Sequence, residues 1–555
     1  MSKKEFDYVI VGAGSAGSVL ANRLSEDPGV EVLLLEAGGK DPFWEWQIHM
    51  PAALAYPMNG TRYNWDYHTE PEPYLGGRVM HCPRGKVFGG SSSINGMCYI
   101  RGNALDYDRW AEEDPALAEW SYRHCLPYFR KAETRNVGAD DYHGDDGPLH
   151  VTKGEGRNPL FQAWIKAGQE AGYPYTEDMN GYQQEGVGPM DRTTKGGARG
   201  STARGYLRPA MKRPNLTVIK RAHAHRLIMK DKQVIGVEYK RGRRMLSVMA
   251  NREVILSGGP INNPQLLKLS GIGPKSELEE HDIELRHELP GVGENLQDHL
   301  EIYLQMACTQ PISLFKYYNL LGKALTGAQW LFTRTGLGAS NHFEAGGFIR
   351  SKKGVPHPDL QYHFFPMAVR YDGKSPNNSH GFQAHVGSMR SQSKGWVRLR
   401  STNPEDAPII QFNYMSKDED WEEFRAAVRL TREIFEQDAF APYRGEELSP
   451  GSEVQSDAEL DEYLKDAVES AYHPSCTCKM GSDDMAVVDE QCRVRGLQGL
   501  RIVDSSIMPS IVSGNLNAPT IMMAEKAADI IKGVAPLPAS DAPVYVAEDF
   551  QHSQR

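Results

Sequence analysis

The sequence predicts an α/β fold: a Rossmann-like dinucleotide-binding domain on a parallel sheet, plus an α+β domain whose antiparallel sheet carries covering helices. Three observations predict it. The apolar strand Val9-Ile10-Val11 runs straight into Gly12-Ala13-Gly14-Ser15-Ala16-Gly17 and a small-residue helix. Apolar strands resume at 216–219 and 254–256, after a long excursion of loops and short helices. Residues 345–415 then carry short, turn-separated strands with no helix between them, which suggests antiparallel pairing and a second domain.

In chain order, Gly12 permits a tight turn, Gly14 lets a pyrophosphate approach the backbone, and Gly17 lets helix and strand pack closely. The first N–H groups of the helix through Leu20 and Leu24 lie at the positive end of its dipole and can hold phosphates. The second strand, Val32-Leu33-Leu34-Leu35, ends at Glu36, nineteen residues past Gly17, where an acid accepts ribose hydroxyls. A glycine triplet alone is weak evidence. Strand, triplet, helix, strand and acid in one unit predict a dinucleotide, without choosing NAD or FAD.

Residues 42–74 are aromatic-rich and broken by Pro and Gly, and read as a lid or a loop over the cofactor. Gly89-Gly90 followed by Ser91-Ser92-Ser93 reads as a second phosphate or flavin loop, with a plain Ser-capped helix start as the alternative. Residues 216–219 and 236–238 are strand-like, 254–256 is a buried strand ending in glycines, and 264–271 is a short helix, so the parallel sheet is expected to resume here. Strands are expected at 348–349, 360–364, 382–386, 396–399 and 409–412. A helix over 421–435, with Phe424, Val428, Ile434 and Phe435 as its apolar stripe, should cover one face of their sheet. The tail after Pro536 reads as loosely ordered.

Composition sets the outer bounds. A chain of 555 residues exceeds one core and implies two or more domains. Hydrophobic and charged fractions of 40% and 24% are those of an ordinary soluble globular protein. The net charge of −10 argues against nucleic acid and offers no basic face to anionic lipid. Seven scattered cysteines suit a reducing cytosol with free thiols. The first strand starts too near Met1 for a signal peptide, and no apolar run is long enough to span a bilayer. The expected location is therefore cytoplasmic, with peripheral docking at the inner face of the cell membrane left open.

The C-terminal part carries the chemistry. His473 precedes Pro474, in a backbone biased away from helix; a satisfied structural histidine is the ordinary alternative reading. Leu500-Arg501-Ile502-Val503 is a strand ending at Asp504. Gly514-Asn515-Leu516-Asn517-Ala518-Pro519 leads into a helix over 521–531 whose N-terminus offers N–H groups and positive potential. His473-x-x-Cys476-x-Cys478 lacks a complementary ligand pair, so these read as free thiols and no metal is expected.

Together these segments resemble the glucose-methanol-choline (GMC) family of flavin oxidoreductases, from about Asp7 to Ile531. The resemblance rests on the N-terminal βαβ unit, residues 85–95, Gly259-Pro260 through Ser270-Gly271-Ile272-Gly273, residues 290–299 and the two C-terminal segments. Asn263 stands where Ser or Thr is usual, a departure expected to touch only local packing. The family implies FAD, in a discontinuous domain of residues 1–153, 193–300 and 471–535. Residues 154–192 and 301–470 would form the substrate domain and 536–555 a tail. Within the family, residues 64–67, 95–103, 181–186 and 339–346 look like choline dehydrogenases.

That resemblance assigns site residues. The catalytic histidine falls on His473 and the second catalytic position, His or Asn in the family, on Asn517. FAD contacts fall on Gly12, Ala13, Gly14, Ser15, Ala16, Gly17, Glu36, Ala37, Gly89, Gly90, Asn95, Gly96, Met97, Ala224, Asp504 and Ala518. His473 would take the hydroxyl proton, Asn517 would donate to the developing oxyanion, and the helix after Ala518 would stabilise negative charge on reduced flavin. A quaternary ammonium cannot accept a hydrogen bond, so its site needs an anion or aromatic faces. Glu301 matches that anion, Tyr472 one aromatic wall, and Phe364 and Phe365 further walls; a surface or capping acid is the plain alternative for Glu301. Ile94 occupies the position where some choline oxidases attach FAD covalently through histidine, and Gly96 a position where they carry serine. The resemblance thus implies non-covalent FAD and a quinone-type acceptor rather than chiefly oxygen. The implied reaction takes choline to betaine aldehyde and on to glycine betaine, an osmoprotectant. Another primary alcohol, or a hydroxynitrile lyase activity, is the alternative.

Overall fold

Phe6–Val11 and Val32–Glu36 have no polar face to offer water, so they form central strands buried on both sides. The computed structural model describes residues 5–370 and 379–555. In it these two strands pair in parallel, from Tyr8↔Val32 to Val11↔Leu35. Their sheet runs Leu216–Lys220, Val32–Glu36, Phe6–Val11, Arg244–Leu256, Gln233–Arg241, His223–Lys230, with Leu500–Ile502 also paired to Arg244–Leu256. The long strand Arg244–Leu256 serves two partners: its start pairs antiparallel with Gln233–Arg241, and its end runs parallel to Phe6–Val11 and Leu500–Ile502. The strand expected at 236–238 therefore belongs to an antiparallel meander, not to the parallel sheet. Its connection to His223–Lys230 is only Asp231-Lys232, and two residues can join only antiparallel strands.

The helix expected at 264–271 starts earlier, as Gly259–Leu269. Pro260 suits a first turn. Pro264 cannot serve the Pro260 carbonyl four residues back, and Thr477 Oγ1 donates to that oxygen instead, at 2.7 Å.

The second sheet runs Arg444–Ser449, Leu300–Cys308, Gly381–Ser388, Leu360–Phe365, Ala345–Ile349, Gly186–Pro189, with every neighbouring pair antiparallel. The strands expected at 396–399 and 409–412 stand apart, as a ribbon of Trp396–Arg398 with Ile409–Gln411. Helices Pro159–Glu170 and Asp418–Glu436 cover one face, and Phe424, Val428, Ile434 and Phe435 are buried there. The segment 42–74 holds three short helical turns, Trp46–His49, Pro51–Ala53 and Ala55–Asn59.

The tail expected to be loose is docked. Ser540 N–H donates to Arg123 O at 2.8 Å and Tyr142 Oη to Pro543 O at 2.8 Å. Arg555 reaches Glu433 at 2.9 Å and the Ala171 carbonyl at 2.5 Å, a cation closing the C-terminal end of Pro159–Glu170. All seven cysteines are unpaired. Among the described residues, no helix is long and apolar enough to cross a membrane.

Candidate active site

A cleft of about 2010 Å³, counting its open mouth, is lined by residues of both sheets. At one end is the first glycine turn. Gly12 holds φ +100°, and a Cβ there would stand 2.4 Å from Ser257 O; a Cβ on Gly17 would stand 1.9 Å from Gly12 O. These two glycines are required by protein packing. Gly14 differs, because the nearest atom to a Cβ placed there is 3.9 Å away, so the space lies open to a ligand. The first helical bond is Ser18 N–H to Gly14 O at 3.0 Å, which leaves the preceding N–H groups for an anion.

Glu36 sits beside this turn. It accepts Ala13 N–H at 2.9 Å and Gly38 N–H at 2.6 Å, but burial outweighs both and pushes its carboxyl up to about 7. The second glycine loop locks onto the first: Gly89 N–H donates to Ala13 O at 2.7 Å, and a Cβ on Gly90 would stand 2.7 Å from Gly14 Cα. Asp504 accepts Gly259 N–H and Asn263 Nδ2, each at 2.7 Å, while Asn263 Oδ1 accepts Gly258 N–H at 2.9 Å. Asn263 therefore does more than local packing, since its amide holds the Gly258-Gly259 turn against Asp504.

At the other end stands His473. Its backbone N–H donates to Asp298 Oδ1 at 2.6 Å, and Asp298 Oδ2 also accepts Ser470 Oγ and Tyr414 Oη, each at 2.6 Å. Arg84 donates to Tyr472 O at 2.6 Å, holding Tyr472 at φ +64°. That left-handed residue aims the next side chain into the cleft, at the cost of local backbone strain. His473 Nδ1 lies 3.1 Å from His299 Nδ1, and its Nε2 lies 3.1 Å from Asn515 Nδ2. Gln361 Nε2 donates to Asn515 Oδ1 at 3.1 Å, so the amide nitrogen of Asn515 is the end turned to His473. An amide nitrogen only donates, so Nε2 is the unprotonated, accepting nitrogen of this imidazole. Burial, with His299, Arg84 and His363 nearby, holds this imidazole well below its usual range, so it is neutral.

The same end of the cleft contains a carboxylate. Glu301, on Leu300–Cys308, is 4% exposed, with Oε1 3.2 Å from His385 Nδ1. Tyr472, Phe343, His363 and Cys98 line the cleft with it.

Among the residues expected at the site, Gly12, Gly14, Ser15, Ala16, Glu36, Ala37, Gly90, Asn95, Gly96, Met97, Ala224, Asp504, His473, Asn517, Glu301 and Tyr472 line the cleft. Ala13, Gly17 and Gly89 back it through the backbone contacts above. Four of the expected residues sit otherwise than expected. Asn517 lies in the cleft, but its Oδ1 accepts Ser15 Oγ at 2.8 Å; the amide beside His473 is that of Asn515. The last helix is Asn517–Lys532, so its start precedes Ala518, which is buried behind the lining. Phe364 points away from the cleft, into the core, with its ring stacked 5.3 Å from Trp164. Phe365 is on the cleft side but one layer back, 5.1 Å from the Phe343 ring.

Comparison with known proteins places these features. Two models described as GMC oxidoreductase match residues 6–301 and 391–524. Over 550 residues the chain is 58% identical to an "Oxygen-dependent choline dehydrogenase" of Pseudomonas putida KT2440, covering 98% of this chain and 97% of that one. It is 59% identical to a protein of the same description from Pseudomonas aeruginosa LESB58, covering 98% of each. Among solved structures, pyridoxine 4-oxidase from Mesorbium loti aligns with a TM-score of 0.86 and 32% identity, over 96% of this chain and all of that one. Formate oxidase aligns with a TM-score of 0.90 and 27% identity, over 96% and 99%.

Proposed function

The chain belongs to the GMC oxidoreductase family, and from that premise we propose that it oxidises choline to betaine aldehyde with FAD, and then the hydrated aldehyde to glycine betaine. The residues fit FAD. The N–H groups ahead of Ser18 and the open space at Gly14 suit the pyrophosphate, and Glu36 suits a ribose. The cleft continues from this glycine turn to His473, so one elongated ligand can reach from the nucleotide end to the imidazole. Ile94 offers no nucleophilic or ligating atom, which supports non-covalent binding; release of the flavin by denaturant into the supernatant tests this. When bound, FAD supplies the acceptor for the substrate's hydride.

The chain's own residues do the rest. His473, neutral and unprotonated at Nε2, takes the hydroxyl proton once the alcohol oxygen sits between Nε2 and the Asn515 amide. Asn515 Nδ2 donates to the alcohol oxygen as negative charge gathers there, and Gln361 holds the amide in that sense. Asp298 fixes the loop that carries His473. Glu301 faces the trimethylammonium, with Tyr472 and Phe343 as apolar faces. The observation that carries the choline reading is this buried carboxylate in the same cleft end as a neutral imidazole.

We further place the protein in the cytoplasm, docked at the inner face of the cell membrane and passing electrons to a quinone-type acceptor. The relatives' printed name gives oxygen that role in them, and parallel assays of oxygen uptake and quinone reduction separate the two. The deciding experiment for the activity is anaerobic mixing with choline. The yellow flavin band should bleach within the turnover time; a band that stays yellow excludes hydride transfer from choline and leaves another primary alcohol or a lyase.

A further inference from the structure

The helix Leu320–Thr333 carries its apolar face outward. At about 100° per residue, Leu320, Leu321, Leu325, Leu331 and Phe332 fall in one arc of roughly 140°, and Gln329, Thr333 and Thr326 fall opposite. A surface helix ordinarily turns such an apolar arc onto the core. Here only Trp330 is buried, its Nε1 donating to Gly197 O at 2.6 Å. The arc faces outward instead, with Leu320 87%, Leu321 69%, Leu325 62%, Leu331 53% and Phe332 89% exposed.

Charge supplies a second observation. From Ile302 to Phe343 there is no Asp or Glu, yet the segment carries Lys316, Lys323 and Arg334. Lys323 and Lys316 lie over the rings of Tyr318 and Tyr317, at 3.7 and 4.9 Å. The total of −10, which spoke against an anionic lipid partner, therefore hides a local cationic, acid-free stretch. Next to it, the turn Leu337–Ala339 packs on Pro51–Ala53. The segment 42–74, which holds Pro51–Ala53, exposes Phe43 (70%) and Trp44 (66%), and its Leu54 and Met58 line the cleft.

We propose that this face docks on an anionic phospholipid surface. The helix would lie in the interface plane, with its leucines and Phe332 at the acyl boundary and its lysines among the headgroups. The proposal deepens the peripheral-membrane reading above and rests on it, adding the surface and the lipid. Charge favours lipid over a second copy of the chain, since a two-fold contact through this helix would set its cations against themselves.

The test is cosedimentation of the flavin-loaded protein with vesicles of mixed phosphatidylglycerol and phosphatidylcholine, against phosphatidylcholine alone. The mixed vesicles should bind it at least roughly tenfold better, and Leu321→Ser with Phe332→Ser should lower that binding by about tenfold or more. Choline turnover with a soluble dye acceptor and FAD content should not change. Lys316→Ala and Lys323→Ala should each weaken binding to the mixed vesicles about fivefold and leave binding to phosphatidylcholine alone unchanged. Absence of vesicle binding, or equal binding by the Leu321→Ser, Phe332→Ser protein, overturns the proposal. So does a dimer in sedimentation velocity that those two substitutions convert to monomer, since the face would then be covered by a second copy. Dye turnover is read separately: lost docking with intact turnover refutes docking alone, and absent turnover refutes the activity.

Discussion

Glu301→Gln removes one charge and keeps the shape. Glu301 is 4% exposed, so little water screens its carboxylate. At a contact distance of about 5 Å and an effective dielectric near 20, the attraction for a quaternary ammonium is roughly 3 kcal/mol. The faces of Tyr472 and Phe343 remain, each worth about 0.5–2 kcal/mol, so binding weakens without vanishing. The glutamine oxygen can still accept from His385, 3.2 Å from Oε1, and the fold should survive with an unchanged thermal midpoint. The assay compares kcat/KM for choline and for its uncharged isostere bearing a tert-butyl head. Choline should lose about a hundredfold, in line with roughly 3 kcal/mol, and the isostere less than about threefold. Equal losses on both would refute the cation site.

The two amides near the last helix separate cleanly. Asn515→Ala should lower kcat by about 10²–10³-fold with FAD still bound, whereas Asn517→Ala, which breaks the contact with Ser15, should weaken FAD retention more than kcat. The reverse result would restore Asn517 to the chemistry. Gln361→Leu leaves the Asn515 amide free to rotate, and a kcat loss of about tenfold at constant KM is expected; Gln361→Glu, which cannot donate when ionised, should not rescue it. His473→Ala should retain FAD but bleach slowly with choline, and full-speed bleaching would remove the imidazole from the mechanism. Burial holds His49, His223, His299, His342, His357 and His363 at about 4. Below about 6.5 the unfolded chain takes protons that these folded groups refuse, so each costs stability as pH falls, by about 1.4 kcal/mol per unit. Glu36, Glu72 and Glu423, raised to about 7, work in the opposite direction but are fewer. The thermal midpoint should therefore fall between pH 6.5 and 5, and a rise would contradict the burial of these imidazoles.

The nucleotide end was readable because its chemistry lies in backbone geometry, and only glycine satisfies Gly12 and Gly17 where neighbouring carbonyls leave no room. The substrate end depends on side-chain direction, which spacing constrains less. Asn515-Leu516-Asn517 offers two amides around a helix start, and composition cannot tell which turns to His473. In Leu360–Phe365 the signal was present but was read by residue type rather than parity. Gln361, His363 and Phe365 share one face, and Leu360, Tyr362 and Phe364 the other. Following that alternation would have found His363 and set Phe364 in the core. His299, Arg84 and Phe343 reach the site only through the tertiary fold, so no local pattern marks them.

The hydrogen bond from Ser15 to Asn517 spans 502 positions, and the Arg23–Glu525 ion pair spans the same interval. A ribosome making this protein exposes the glycine turn some 502 residues before the helix that closes over it. Until then Phe6–Val11 and Val32–Glu36 can pair with each other, while Arg244–Leu256 still waits for Leu500–Ile502. Such late, distant closure slows folding and leaves apolar strand surface exposed to aggregation. Assembly in the cell should accordingly depend on chaperones during synthesis, with flavin captured only after both ends of this contact have been made.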